Sequence, residues 1–141
     1  MRNGAKSALG TMLLISVLLL AAGVALAVTP QSGAWKGGTA QNKPVSFRVV
    51  SGRNVSNFKF RVKAECPTGF TVTSIGTLPW SEKITNSRFS FSGSSGDSSI
   101  VIRGRFISKR RAKGVMRFSA ANPEAPGRCY SGPVSWGAHK R

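Results

Sequence analysis

The sequence predicts an all-β fold: one small antiparallel β-sandwich or barrel of about eight strands, preceded by a short N-terminal signal helix. Three observations predict it. From Ala34 onward the apolar residues recur with period two, which is the strand period. The alternating runs are separated by clusters of Gly, Pro, Asn and Ser, residues that supply positive φ or stabilise turns locally. No window of about a dozen residues past the leader carries helical spacing.

The leader comes first. Arg2 and Lys6 precede an apolar run from Met12 to Val28, and Ala25-Leu26-Ala27 forms a small-x-small site. A charged start, a short apolar core and such an end are what export and signal peptidase read, so residues 1–27 are expected to be removed after Ala27. The alternative is an uncleaved anchor with the domain outside. No charge occurs between Lys6 and Lys36, and about 20 apolar residues span a bilayer. Ser16 and Gly23 interrupt the run and its end is rich in small residues, which favours cleavage. Residues 28–33 then read as a linker and 34–141 as the β domain.

The strands follow in order. One is expected near Ala34. In "PVSFRVV", Val45, Phe47 and Val49 share a face opposite Ser46 and Arg48. "NFKFRVKAEC" sets Phe58, Phe60, Val62, Ala64 and Cys66 against Lys59, Arg61, Lys63 and Glu65. A strand near Phe70 comes next, then "RFSF" with Phe89 and Phe91 on one side. In "SIVIRGRF", Ile100, Ile102 and Phe106 oppose Val101, Arg103 and Arg105. "VMRFSA" turns Met116 and Phe118 inward and Arg117 outward, and a last strand is expected near Tyr130. Turns are expected at 51–54, 67–69, 92–99 and 121–127, with 108–114 as a basic hairpin tip that Gly114 helps to leave. "SGAWKGG" and "SGPVSWGA" echo each other, so the first and last strands are expected to pair. Trp35 and Trp136 would then cover an end of the core, which outweighs a sugar-stacking role for either.

Two cysteines, Cys66 and Cys129, both lie past the leader. In an oxidising compartment a disulfide is the expected state for such a pair, and two cysteines with one distant histidine lack the spacing of a zinc site. The bridge would close a loop of 62 residues, which the chain-entropy account values at about 4 kcal/mol.

Four segments carry a resemblance: "GAWKGGTAQNKPVSFRVV", "FKFRVKAEC", "IRGRFISKRRAKGVMRFSA" and the final Cys with "SGPVSWGA". Together they resemble a group of small secreted actinobacterial β-rich proteins with a G-x-aromatic-x-G-x-T/S start and a C-terminal Cys and Trp. The similarity spans Gly33 to Ala138. It implies export, a β architecture and the Cys66 to Cys129 bridge. The group has no activity to transfer.

Catalytic groups are sparse. The acids are Glu65, Glu82, Asp97 and Glu124, and the sole histidine, His139, is two residues from the end. No pattern pairs two carboxylates as a glycosidase needs, and no G-x-S-x-G elbow, HExxH, Walker loop or dinucleotide fingerprint occurs. No catalytic residue, metal or cofactor is therefore expected, and a secreted hydrolase is the third-ranked reading.

Charge is the informative feature. The chain holds 21 basic and 4 acidic residues. Without Arg2 and Lys6 the remainder carries about +15, more than solubility alone typically uses. Arg48, Lys59, Arg61, Lys63, Arg103, Arg105 and Arg117 fall on outward strand positions, and Lys109, Arg110, Arg111 and Lys113 cluster at the hairpin tip. Such a surface concentrates polyanions. The expected partner is an anionic envelope or extracellular polymer, with membrane contact only through an uncleaved leader. Sequence-specific nucleic-acid binding is disfavoured because the phenylalanines alternate onto the face opposite the cations, where bases have nothing to stack on. The competing reading is a structural or protein-interaction module whose basic charge is incidental, serving only solubility and the protection of strand edges.

Overall fold

A computed structural model of the protein describes residues 26–141. The leader expected over 1–27 lies, apart from Leu26 and Ala27, outside the described residues. Every regular element within them is a strand: β1 (Gly33–Thr39), β2 (Pro44–Val50), β3 (Asn54–Glu65), β4 (Thr71–Lys83), β5 (Arg88–Ser95), β6 (Ser98–Ser108), β7 (Arg111–Ala121), β8 (Arg128–Tyr130) and β9 (Val134–Lys140). The fold is the expected all-β one.

Eight strands form one curled antiparallel sheet in the order β4-β3-β2-β1-β9-β7-β6-β5. The short β8 closes it into a barrel. Glu65 of β3 pairs with Tyr130, and Ser119, Ala120 and Ala121 of β7 pair with Tyr130, Cys129 and Arg128. β1, β2, β3, β8, β7 and β9 thus make a ring of six strands, with β4 added beside β3 and β6 and β5 beyond β7. The first and last strands do pair, Gly37 opposite Ala138.

Alternation explains which face each strand buries. β3 shows it over its length: Phe58, Phe60, Val62 and Ala64 are buried while Lys59, Arg61, Lys63 and Glu65 are exposed. The buried set is aromatic at its centre. Phe47 has ring centroids of Trp35, Phe58, Phe89 and Trp136 at 5.7, 5.4, 5.8 and 6.0 Å. Trp35 and Trp136 therefore stand inside the core and not over its end. Such ring pairs add about 0.5–1.5 kcal/mol each beyond area burial.

The Cys66–Cys129 disulfide is present, with Cα atoms 4.0 Å apart and both residues buried. It staples the end of β3 to β8 where the ring closes.

Several boundaries differ from the sequence expectations. The region expected as a turn over 92–99 is mostly strand, because β5 and β6 pair down to Ser95 opposite Ser98 and leave only Gly96 and Asp97 in the turn. Gly96, at φ 56°, supplies the left-handed residue that so tight a connection needs. The strand expected near Phe70 begins one residue later and runs to Lys83, and the one expected near Tyr130 is two, β8 and β9. The hairpin tip is likewise only Lys109 and Arg110. Gly114 is an interior residue of β7 and takes no part in the turn. Residues 28–33 are strapped to the barrel: Pro30 is buried, the Val28 amide donates to Ser87 Oγ at 2.5 Å, and the Gln31 amide to the Lys109 carbonyl at 2.9 Å. Trp35 Nε1 donates to the Gln31 carbonyl at 3.0 Å.

Candidate functional site

Strand pairing decides which cations meet. On the outer face of β5, β6 and β7, Arg88 stands opposite Arg105, which stands opposite Lys113. One step along, Ser90, Arg103, Val115 and Ser135 form the next row across β5, β6, β7 and β9. Ser92, Val101 and Arg117 form a third. Directly opposed side chains start about 5 Å apart and alternate residues of a strand about 6.6 Å apart. Five cationic stems therefore emerge from a patch of roughly 10 by 13 Å.

The patch is concave. A groove of about 1070 Å³ is lined by Arg88, Arg103, Arg105, Lys113 and Arg117, with Val101 and Val115 among its apolar residues. No carboxylate lines it. The four acids sit elsewhere: Glu65 at the end of β3, Glu82 accepting from Trp80 Nε1 at 3.0 Å, Asp97 in the β5–β6 turn and Glu124 in the loop before β8. Nothing acidic in the lining offsets the five cations, so the groove concentrates positive potential.

Two glycines form the middle of the floor. Gly104 and Gly114 oppose each other on β6 and β7, and Gly114 opposes Trp136 on β9. All three positions point inward; the indole of Trp136 presses against the sheet where the two side chains are missing, and at Gly104 the Phe89 ring lies closer still. A Cβ would fall 2.8 Å from Trp136 Cζ2 at Gly104 and 2.6 Å from it at Gly114. The indole edge that faces Gly114 includes Cε2, the carbon bonded to Nε1. That Nε1 is buried and has no hydrogen-bond partner.

The expected site residues are thus divided. Arg103, Arg105, Lys113 and Arg117 converge in the groove. Arg48, Lys59, Arg61 and Lys63 lie on β2 and β3, separated from it in the sheet by β1 and β9. There Lys59 has Ser46 and Thr77 as neighbours, Arg61 has Ile75 and Lys63 has Thr73. Lys109 and Arg110 form the tip of the β6–β7 hairpin, and Arg111 faces His139. The tip backbone is held, the Lys109 and Arg110 carbonyls accepting from the Gln31 and Lys140 amides at 2.9 Å each. None of these three lines the groove.

Arg88 is the residue the sequence reading left out. The alternation of "RFSF" already set it on the face opposite Phe89 and Phe91. Sequential strands pair as hairpin neighbours, which puts β5 beside β6; alternation does not give the register that sets Arg88 opposite Arg105.

His139 borders a smaller hollow of about 460 Å³ with Lys36, Ser46 and Arg141, and no acid shares it. Among the described residues no group of three or more His, Cys, Asp or Glu could hold a metal ion. No described helix is long and apolar enough to cross a membrane. No family model, curated protein or solved structure matches the chain.

Proposed function

We propose that this protein is an exported, disulfide-stabilised, non-catalytic β-barrel that holds an anionic envelope or extracellular polymer in the groove across β5, β6 and β7. One observation carries the reading: five cations from three strands line a single concavity that contains no carboxylate. A surface charged only for solubility has no reason to gather cations against their mutual repulsion, and like charges directly opposed across strands are destabilising. Arg88, Arg105 and Lys113 stand in such a row.

The test is retention on purified cell envelope as a function of salt. Engagement of all five cations predicts that log K falls with log salt at a slope of about −3.5 to −4.5. Absence of retention at low salt overturns the proposal. The competing reading, a protein-interaction module, draws support from the edge strand β4 and its flank, where Ile75 is 69% exposed and Phe70 and Trp80 are each 41% exposed. Retention that persists at high salt and is lost on Ile75→Asp would favour it.

A further inference from the structure

Resting on the polyanion reading, we infer that the groove selects a linear phosphate polymer without stacking bases, in preference to a carboxylate polysaccharide, a nucleic acid or a bilayer surface. Four of its five cations are arginine. Guanidinium groups present a fixed fork of donors, and a lysine-to-arginine exchange at such a site is not neutral. Their placement says more. Arg88 rises from β5, Arg103 and Arg105 from β6, Arg117 from β7, around a floor of Val101, Val115 and glycine backbone. Donors then reach a central anion from several directions. A tetrahedral phosphate can accept from all of them, whereas a planar carboxylate accepts in one plane.

Charge density points the same way. Five cations within roughly 10 by 13 Å are matched most closely by polyphosphate, which bears a charge on every phosphorus, whereas a polymer with one carboxylate per sugar spaces its charges a full ring apart. The groove offers no exposed ring: Phe89 and Trp136, which stand behind its floor, are only 4% and 3% exposed. Single-strand binders depend on such rings for base stacking. A single chain can lie along the floor of Val101, Val115 and glycine backbone, between cations of three strands, in a way that headgroups fixed in a bilayer plane do not.

The experiment measures binding of the oxidised protein to long-chain inorganic polyphosphate, polygalacturonate, oligo-dT and phosphatidylglycerol vesicles at one ionic strength, for the parent and for R103K/R105K. Both substitutions are on exposed positions and keep the charge, and circular dichroism confirms the fold. Polyphosphate is expected to bind at least about tenfold more tightly than polygalacturonate, and the double variant to lose most of that preference while its salt slope stays unchanged. Equal affinity for polygalacturonate, or a preference untouched by R103K/R105K, overturns the phosphate inference and leaves the polyanion reading standing. Tighter binding of oligo-dT or of vesicles than of polyphosphate overturns it in favour of that ligand class. Failure of all four at low salt removes the inference together with the reading beneath it.

Discussion

The outer face of β5–β7 and that of β2–β3 are built from the same ingredients, alternating strands with arginine or lysine at outward positions, yet they differ in what a ligand would meet. On β3, Lys59, Arg61 and Lys63 run along one strand, with Ser46, Thr73, Ile75 and Thr77 beside them. Each cation there is flanked by a neutral neighbour. On β5–β7 Arg88, Arg105 and Lys113 oppose one another across strands, and with Arg103 and Arg117 they line one groove. Equal alternation thus produces a dispersed stripe in one place and a focused site in the other. The difference lies in strand partnership.

Breaking the staple between the two faces should have the largest effect. Cys66 directly follows the strand that bears the lysine stripe, and Cys129 sits on β8 beside β7. C66A/C129A should lose about 4 kcal/mol of stability, seen as a fall in Tm of more than about 10 °C. An unchanged Tm would mean that the closure through β8 contributes little.

Neutralising one face at a time sharpens the comparison directly. R103Q/R105Q/R117Q should weaken polyanion binding about 100-fold at about 0.1 M salt, since each lost phosphate contact costs roughly fivefold there. K59Q/R61Q/K63Q removes the same charge and should cost less than about tenfold, through the long-range field alone. Equal losses, read by titration calorimetry, would erase the distinction between the faces.

A smaller effect is expected at the groove floor. Gly114→Ala would press a methyl group into the Trp136 indole and the carbonyl of Arg103, and should destabilise by about 1–3 kcal/mol. Trp136 emission should shift with it. The equivalent change at exposed Thr73, beside the lysine stripe, should be close to neutral.

The smallest effect belongs to the basic tip. K109Q/R110Q removes two charges that lie outside the groove lining, and binding should fall by less than about threefold. A loss as large as that of the groove variant would extend the site to the hairpin end.

Legibility followed the range of the interactions. The inward and outward positions of β3, β6 and β7 were readable because strand alternation is local. In β7, Met116 and Phe118 are buried and Arg117 is exposed as the pattern required. The stretch 92–99 reads as a turn because Ser and Gly favour turns in isolation, whereas here they are carried into strand by pairing of β5 with β6. Gly114 reads as a turn residue for the same reason, being glycine near a basic cluster, and only the arrival of Trp136 from β9 shows that a missing side chain makes room for an indole.

By itself, then, the sequence determined that residues 34–141 are made of strands, which side chains β2, β3, β5, β6 and β7 bury, that Cys66 and Cys129 are the only cysteines, and that the chain is strongly basic. Those follow from composition and from a period of two. Only the tertiary structure decided that β8 closes the ring, that β9 pairs with β7 on its other side, and that Arg88, Arg103, Arg105, Lys113 and Arg117 share one groove. Alternation specifies the face on which a side chain stands. It is silent on which strand lies alongside, because backbone hydrogen bonds between distant segments carry no residue identity.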